Sequence, residues 1–172
     1  MKESVQKMNA RKKYAGELYS FYRKNRPIGK GGNGAVYEVE LLSDNGLGVP
    51  MVAKFFEYEG TDKEKRYKRF KNEIIALNGL KDIDGIMQVL DKKCPQDIPR
   101  TMDEAWYLMP KAKPYKLTHS PNIYIKIVDM LQLARIIQCI HERNGAHRDI
   151  KPENILILGN RLVLSDFGLY WG

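Results

Sequence analysis

His147-Arg148-Asp149-Ile150-Lys151-Pro152-Glu153-Asn154, followed by the apolar run Ile155-Leu156-Ile157-Leu158, is the stretch on which the reading of this chain turns. It gathers a histidine, cations, acids and an amide into one short segment. Pro152 has no N–H and disfavours helical backbone at Lys151, so the segment is a loop and not a helix interior. It sits between a helical pattern and a short strand. Asp166-Phe167-Gly168 follows twelve residues past Asn154. Asp149, Asn154 and Asp166 therefore place three oxygen-bearing side chains on one hairpin-like segment, a set that suits Mg2+ and a hydroxyl nucleophile.

Working outward, Ile28-Gly29-Lys30-Gly31-Gly32-Asn33-Gly34-Ala35-Val36 contains G-x-G-x-x-G-x-V. Alone, this pattern fits a dinucleotide fingerprint or a plain turn. The residues after Val36 alternate as a strand does, not as the helix that a Rossmann unit requires. The glycines therefore belong to a β-hairpin turn whose backbone N–H groups can close over phosphates. Met51-Val52-Ala53-Lys54-Phe55-Phe56 is a strand-like apolar run carrying one lysine, which is costly to bury unless paired. Glu73 lies nineteen residues further on, in a helical segment predicted over Asp62–Leu80. Tyr67, Phe70, Ile74 and Leu77 share one face of that segment, and Glu73 is adjacent to it, within reach of Lys54.

In this order and spacing the motifs resemble those of the eukaryotic-type serine/threonine protein kinases, from about Pro27 to Leu169. The resemblance implies an α+β, protein kinase-like fold. An antiparallel β-sheet N-lobe with one helix is expected over residues 25–109, a hinge at 110–114, and an incomplete, mainly helical C-lobe over 115–172. ATP and Mg2+ are the implied cofactors, and a protein carrying Ser or Thr is the implied substrate. Gly29, Gly31, Gly32, Asn33 and Gly34 are expected over the phosphates. Ile28, Val36, Val52, Met109 and Leu156 are expected around the base, with the backbone of Lys111 or Ala112 bonding the adenine. Lys54, held by Glu73, is expected on the α- and β-phosphates. Asp149 is expected at the attacking hydroxyl, Lys151 at the γ-phosphate, and Asn154 and Asp166 on the metal. His147 and Phe167 are expected to pack, in an apolar column with Leu77. Arg148 is associated in the family with control by a phosphorylated loop. The chain departs from the family at Val52, where alanine is usual.

Composition bounds this reading. The chain has 172 residues, 43% hydrophobic and 29% charged, as a soluble globular protein has. No apolar run approaches the roughly 20 residues of a membrane span. Cys94 and Cys139 are too few for a disulfide framework and lack metal-ligand spacing, so a reduced, cytoplasmic location is expected. The net charge of +8 is concentrated in the first 30 residues, and the remainder is nearly balanced. That pattern suits a solvated basic leader better than a nucleic-acid surface, so nucleic-acid binding is not expected.

Residues 1–24 place Tyr14, Leu18, Phe21 and Tyr22 at helical spacing, and a short amphipathic helix is expected there. Ser43-Asp44-Asn45-Gly46 is a turn signal, Ile86–Leu90 and Glu104–Met109 read as strands, and Ser120-Pro121-Asn122 as a helix start. The helix that follows is expected to end near Arg143 with Gly145 at its C-cap. His119 and His141 read as surface or packing residues. The chain ends four residues past Gly168, where a kinase domain of typical size continues for roughly 100 residues or more. A truncated or fragmentary kinase with weak or absent phosphotransfer is therefore expected. The alternative is a non-catalytic, nucleotide-binding module that docks a protein partner on its uncovered lobe, where Ile127, Leu131 and Ile137 lack cover.

Overall fold

The computed structural model describes residues 11–42, 48–58, 60–116 and 122–172. Strands β1 (Lys13–Ala15), β2 (Ser20–Gly31), β3 (Gly34–Leu41), β4 (Met51–Phe55), β5 (Asp91–Lys93) and β6 (Trp106–Pro110) form one antiparallel sheet in the order β1-β2-β3-β4-β6-β5. Helix α1 (Lys63–Gly79) packs on this sheet. Helix α2 (Ile123–Glu142) stands beside a second, three-stranded sheet of β7 (Lys113–Pro114), β8 (Ile155–Leu158) and β9 (Arg161–Leu164). This is the expected antiparallel N-lobe and a C-lobe with one described helix.

Strand β4 is buried along its whole length, and its period-2 alternation divides two cores. Met51, Ala53 and Phe55 face an aromatic cluster with Tyr14, Phe21, Tyr37 and Trp106. Val52 faces the other way, into the core that runs from α1 through to Ile136, Ile140 and Phe167. Lys54 shares the Val52 face, which commits its ammonium to the interior.

The helix expected over residues 1–24 is not formed by its described part, which contributes β1 and the start of β2. Tyr14 pairs with Phe21 across the hairpin, their rings stacked at 5.5 Å. Both are buried, whereas Leu18, at the turn between them, is 71% exposed. Aromatic spacing that fits a helix face also fits a hairpin, and burial against Phe55 and Trp106 decides for the strand. The buried Asp91 carboxylate fastens this hairpin by accepting from the backbone N–H groups of Glu17, Leu18 and Tyr19 at 3.2, 3.0 and 2.8 Å. A Cβ on Gly16 would overlap that carboxylate, so the turn tolerates only glycine there.

Two further expectations are corrected. Ile86–Leu90 is not a strand. Ile86 and Met87 instead stitch the sheet's flank to β9, with Met87 N–H donating to the Leu164 carbonyl and Leu164 N–H to that of Gly85. The left-handed position that ends α2 is Asn144, at φ 56°, and not Gly145. Asn144 and Gly145 donate back to the His141 and Ile140 carbonyls, as a Schellman ending requires. Gly145 is kept small by the Tyr170 ring against it. At the other end, Asn122 caps α2 by accepting from the Tyr124 N–H at 2.8 Å. The Ser43–Gly46 turn, His119 and Ser120-Pro121 lie outside the described residues. Ile127 and Leu131 are exposed on α2, and Ile137 is half-buried. No described helix is long and apolar enough to cross a membrane.

Removing the Asp91 anchor leaves the hairpin's N–H groups unpaired. Asp91→Ala is expected to cost about 2–4 kcal/mol, read from urea unfolding, with the far-UV spectrum of the folded state retained. An unchanged midpoint would show that the hairpin stands without it.

Candidate active site

The first half of the site is a fixed cation. Period-2 alternation turns Lys54 inward on β4, and helical spacing turns Glu73 inward on α1 beside Ile74 and Leu77. The ammonium Nζ donates to both Glu73 carboxylate oxygens at 2.7 Å, and Glu73 is fully buried. Tyr107, directly opposite Lys54 on β6, donates its hydroxyl to Glu73 Oε1 at 2.8 Å. Asp166 Oδ1 lies 3.6 Å from Nζ on the far side. Burial pulls the Lys54 ammonium down, but Glu73 and Asp166 more than offset it, so the pKa lies above the ordinary lysine value. Burial lifts Glu73 above the ordinary carboxylate value, with Lys54 acting against it.

The second half is the loop from His147 to Asn154. Pro152–Asn154 form a single 3-10 turn, which folds Asn154 back on Asp149. Asn154 Nδ2 donates to the Asp149 carbonyl at 2.8 Å and to its Oδ2 at 3.0 Å, and Lys151 Nζ donates to the same Oδ2 at 2.8 Å. The Lys151 hydrogen bond holds the Asp149 carboxyl below its usual range, helped by Asn154. Since Asn154 spends its amide nitrogen on Asp149, its Oδ1 is the atom left for a cation. Asn154 and Asp166 supply two protein oxygens of the kind Mg2+ takes alongside phosphate and water, so these residues fit the ion.

His147 anchors the loop. Asp149 N–H donates to His147 Nδ1 at 3.2 Å, so Nε2 carries the proton and donates to the Ser165 carbonyl at 3.0 Å. Its ring meets the buried Phe167 edge-on at 4.4 Å. Phe167 and Leu77 lie in the same apolar core. Arg148 and Asp166 adopt left-handed backbone, at φ 65° and 61°. Strain of this kind at non-glycine residues persists where surrounding contacts over-determine it. Trp171 supplies some of those contacts, exchanging backbone hydrogen bonds with Ala146 and lying under the Arg148 guanidinium.

The glycines form the β2–β3 hairpin, with Gly31 paired to Gly34 and Gly32-Asn33 as its turn. A Cβ on Gly34 would run into the Phe55 carbonyl, so the close approach of β3 to β4 demands glycine. Arg66 of α1 donates through Nη1 to the Gly32 carbonyl, tying the turn to the helix. Val52 pairs with Met109 across β4 and β6, and both are buried. Val36, Ala112 and Leu156 pack against the same core. Ile28 is 53% exposed, next to Gly29, which pairs with Val36. Lys111 spends its N–H on the Pro50 carbonyl at 2.8 Å, which leaves Ala112 as the backbone donor of the two.

Tyr107, Ser165 and Arg66 are the contributors that sequence reasoning missed. Tyr107 was detectable from the alternation of the Trp106–Met109 run, which puts it on the Lys54 side. The Ser165 carbonyl and the reach of Arg66 carry no sequence signal.

Glu73→Ala would strand the Lys54 ammonium in a buried setting, at an expected cost of about 3 kcal/mol in urea unfolding. Burial lowers the His147 pKa below its ordinary 6.5. The unfolded chain then binds the proton more readily than the folded one. Stability from this residue is therefore complete above about pH 6.5 and is lost as pH falls through the folded value. Unfolding midpoints between pH 7.5 and about 5 should fall in the parent chain and fall less in His147→Gln. Equal slopes would assign the acid sensitivity elsewhere.

Residues 22–170 match the protein kinase domain family. An alignment of 178 positions with serine/threonine-protein kinase SBK1 of Mus musculus is 28% identical, covering 97% of this chain and 39% of that protein. The probable serine/threonine-protein kinase YbdM of Bacillus subtilis is 30% identical over 161 residues, covering 86% of this chain and 57% of that one. A probable serine/threonine-protein kinase of Clostridium perfringens is 28% identical over 153 residues, covering 83% and 20%. The chain thus spans between a fifth and three-fifths of these relatives' lengths. On the match across residues 22–170, the chain belongs to the protein kinase domain family.

Proposed function

We propose that this chain carries the nucleotide and phosphotransfer site of an ATP-dependent serine/threonine protein kinase. The observation that carries the reading is Lys54, bonded to both oxygens of Glu73 and 3.6 Å from Asp166. A buried ammonium held between two carboxylates is a fixed positive charge, which is what positioning a polyphosphate requires. Asn154 and Asp166 would hold Mg2+, which would neutralise phosphate charge when bound.

Asp149 performs the proton chemistry in this reading. Its Oδ2 takes the Lys151 and Asn154 hydrogen bonds, so Oδ1 is the oxygen for a substrate hydroxyl. The hydroxyl oxygen bonds to the γ-phosphorus as the bond to the β-phosphate oxygen breaks. The hydroxyl proton goes to Asp149 and ADP leaves. Lys151, held against Asp149, neutralises the transferred group. The relatives' names and the lysine at 151 support Ser and Thr as acceptors. Val36, Val52, Met109 and Leu156 would hold the base, and the Ala112 N–H is the backbone donor available to the adenine. A cytoplasmic location accompanies the reading, in keeping with the two free thiols.

The intact chain should be stabilised by ATP with Mg2+, by about 2.7 kcal/mol at a hundredfold excess over Kd, seen as a rise in Tm. Asp166→Ala should remove the Mg2+-dependent part. Transfer from labelled ATP to a generic Ser/Thr protein should fall about 10²–10⁴-fold in Asp149→Ala. A folded chain whose Tm ignores ATP and Mg2+ would falsify the reading.

A further inference from the structure

The cleft in front of Asp149 holds more positive charge than the phosphotransfer steps use. Lys65, Arg69 and Glu73 lie on one i, i+4 row of α1. The ridge that carries Glu73 to Lys54 therefore brings Arg69 and Lys65 along the same face, one and two turns earlier. Arg66 stands beside them. All three cations line one cleft with Asp149, Lys151 and Asp166. Two of its acids are already engaged, Asp149 by Lys151 and Asp166 by Lys54. The third, Asp62, sits at the start of α1. Lys65 and Arg69 have no carboxylate partner among the described residues. Arg66 spends Nη1 on Gly32, while its Nε is buried without a hydrogen-bond partner. Like charges three and four residues apart on a helix repel, and an unpaired buried donor is costly to leave so. An anion in the cleft relieves the repulsion.

We propose that Lys65, Arg66 and Arg69 form a subsite for an anionic side chain of the protein substrate, close to the acceptor hydroxyl at Asp149. The recognised chemistry is a carboxylate or a phosphorylated residue, which a guanidinium fork suits. Acidic Ser/Thr sequences are then the preferred substrates. The inference rests on the kinase reading for where the acceptor hydroxyl sits, but the anion site itself can be measured without nucleotide.

The test is fluorescence anisotropy of labelled serine peptides with acidic, neutral or basic flanks, binding to the intact chain without nucleotide. The acidic peptide should bind about 3- to 10-fold tighter than the neutral one, and the advantage should shrink with added salt. Lys65→Gln/Arg69→Gln should abolish that advantage, and Lys65→Glu/Arg69→Glu should reverse it toward the basic peptide. A phosphoserine-flanked peptide outbinding an aspartate-flanked one assigns the anion as phosphate, and equal binding assigns it as carboxylate. Equal affinity for all three flanks, or an acidic preference that survives both double variants, overturns the proposal. The ATP and Mg2+ thermal shift, run on the same protein, separates the two readings. A normal shift with no acidic preference sinks the subsite alone, whereas acidic preference without a shift sinks the nucleotide site alone.

Discussion

The buried Lys54–Glu73 pair is the constraint on which the rest of the structure depends. Bringing two charges out of water costs several kcal/mol per ion, and their attraction offsets that only when geometry is good and remaining bonding capacity is filled. Here both Glu73 oxygens accept from one ammonium, and Tyr107 fills a further position on Oε1. That arrangement fixes α1 against β4 and β6 at once. It also sets the rotation of α1, and so determines which residues of the helix face the cleft.

The pair connects the two halves of the site through Asp166. This residue stands in left-handed backbone between β9 and the Phe167 anchor. Phe167 packs on His147, whose two ring nitrogens hold Asp149 and Ser165 in place. A chain of packed and hydrogen-bonded groups thus runs from the sheet to the loop that carries Asp149. Each link is a packed or hydrogen-bonded contact formed by the chain's own residues.

Much of the candidate site was legible because its chemistry is tied to local pattern. Pro152 marks a loop wherever it occurs in such a sequence, Lys54 within an apolar strand demands a partner, and alternation after Val36 excludes a Rossmann helix. Residues 11–24 misled because Tyr14, Phe21 and Tyr22 satisfy helical and hairpin spacings alike. Local spacing does not contain the information that Phe55 and Trp106 await them across the sheet. Ile86-Met87 misled for a similar reason: an apolar run declares burial, but not whether its backbone bonds to a ladder or to a single strand of the other sheet.

By itself the sequence determined the order of the motifs, the hairpin of glycines, the inward lysine and the loop of Asp149 and Asn154, because turn chemistry and hydrophobic period act over a few residues. Only the tertiary structure decided that Tyr107 completes the Glu73 shell, that Lys111 is spent on Pro50, and that Lys65 and Arg69 open onto the Asp149 cleft. These depend on strand register and helix rotation, which are set by long-range packing and leave no trace in residue spacing.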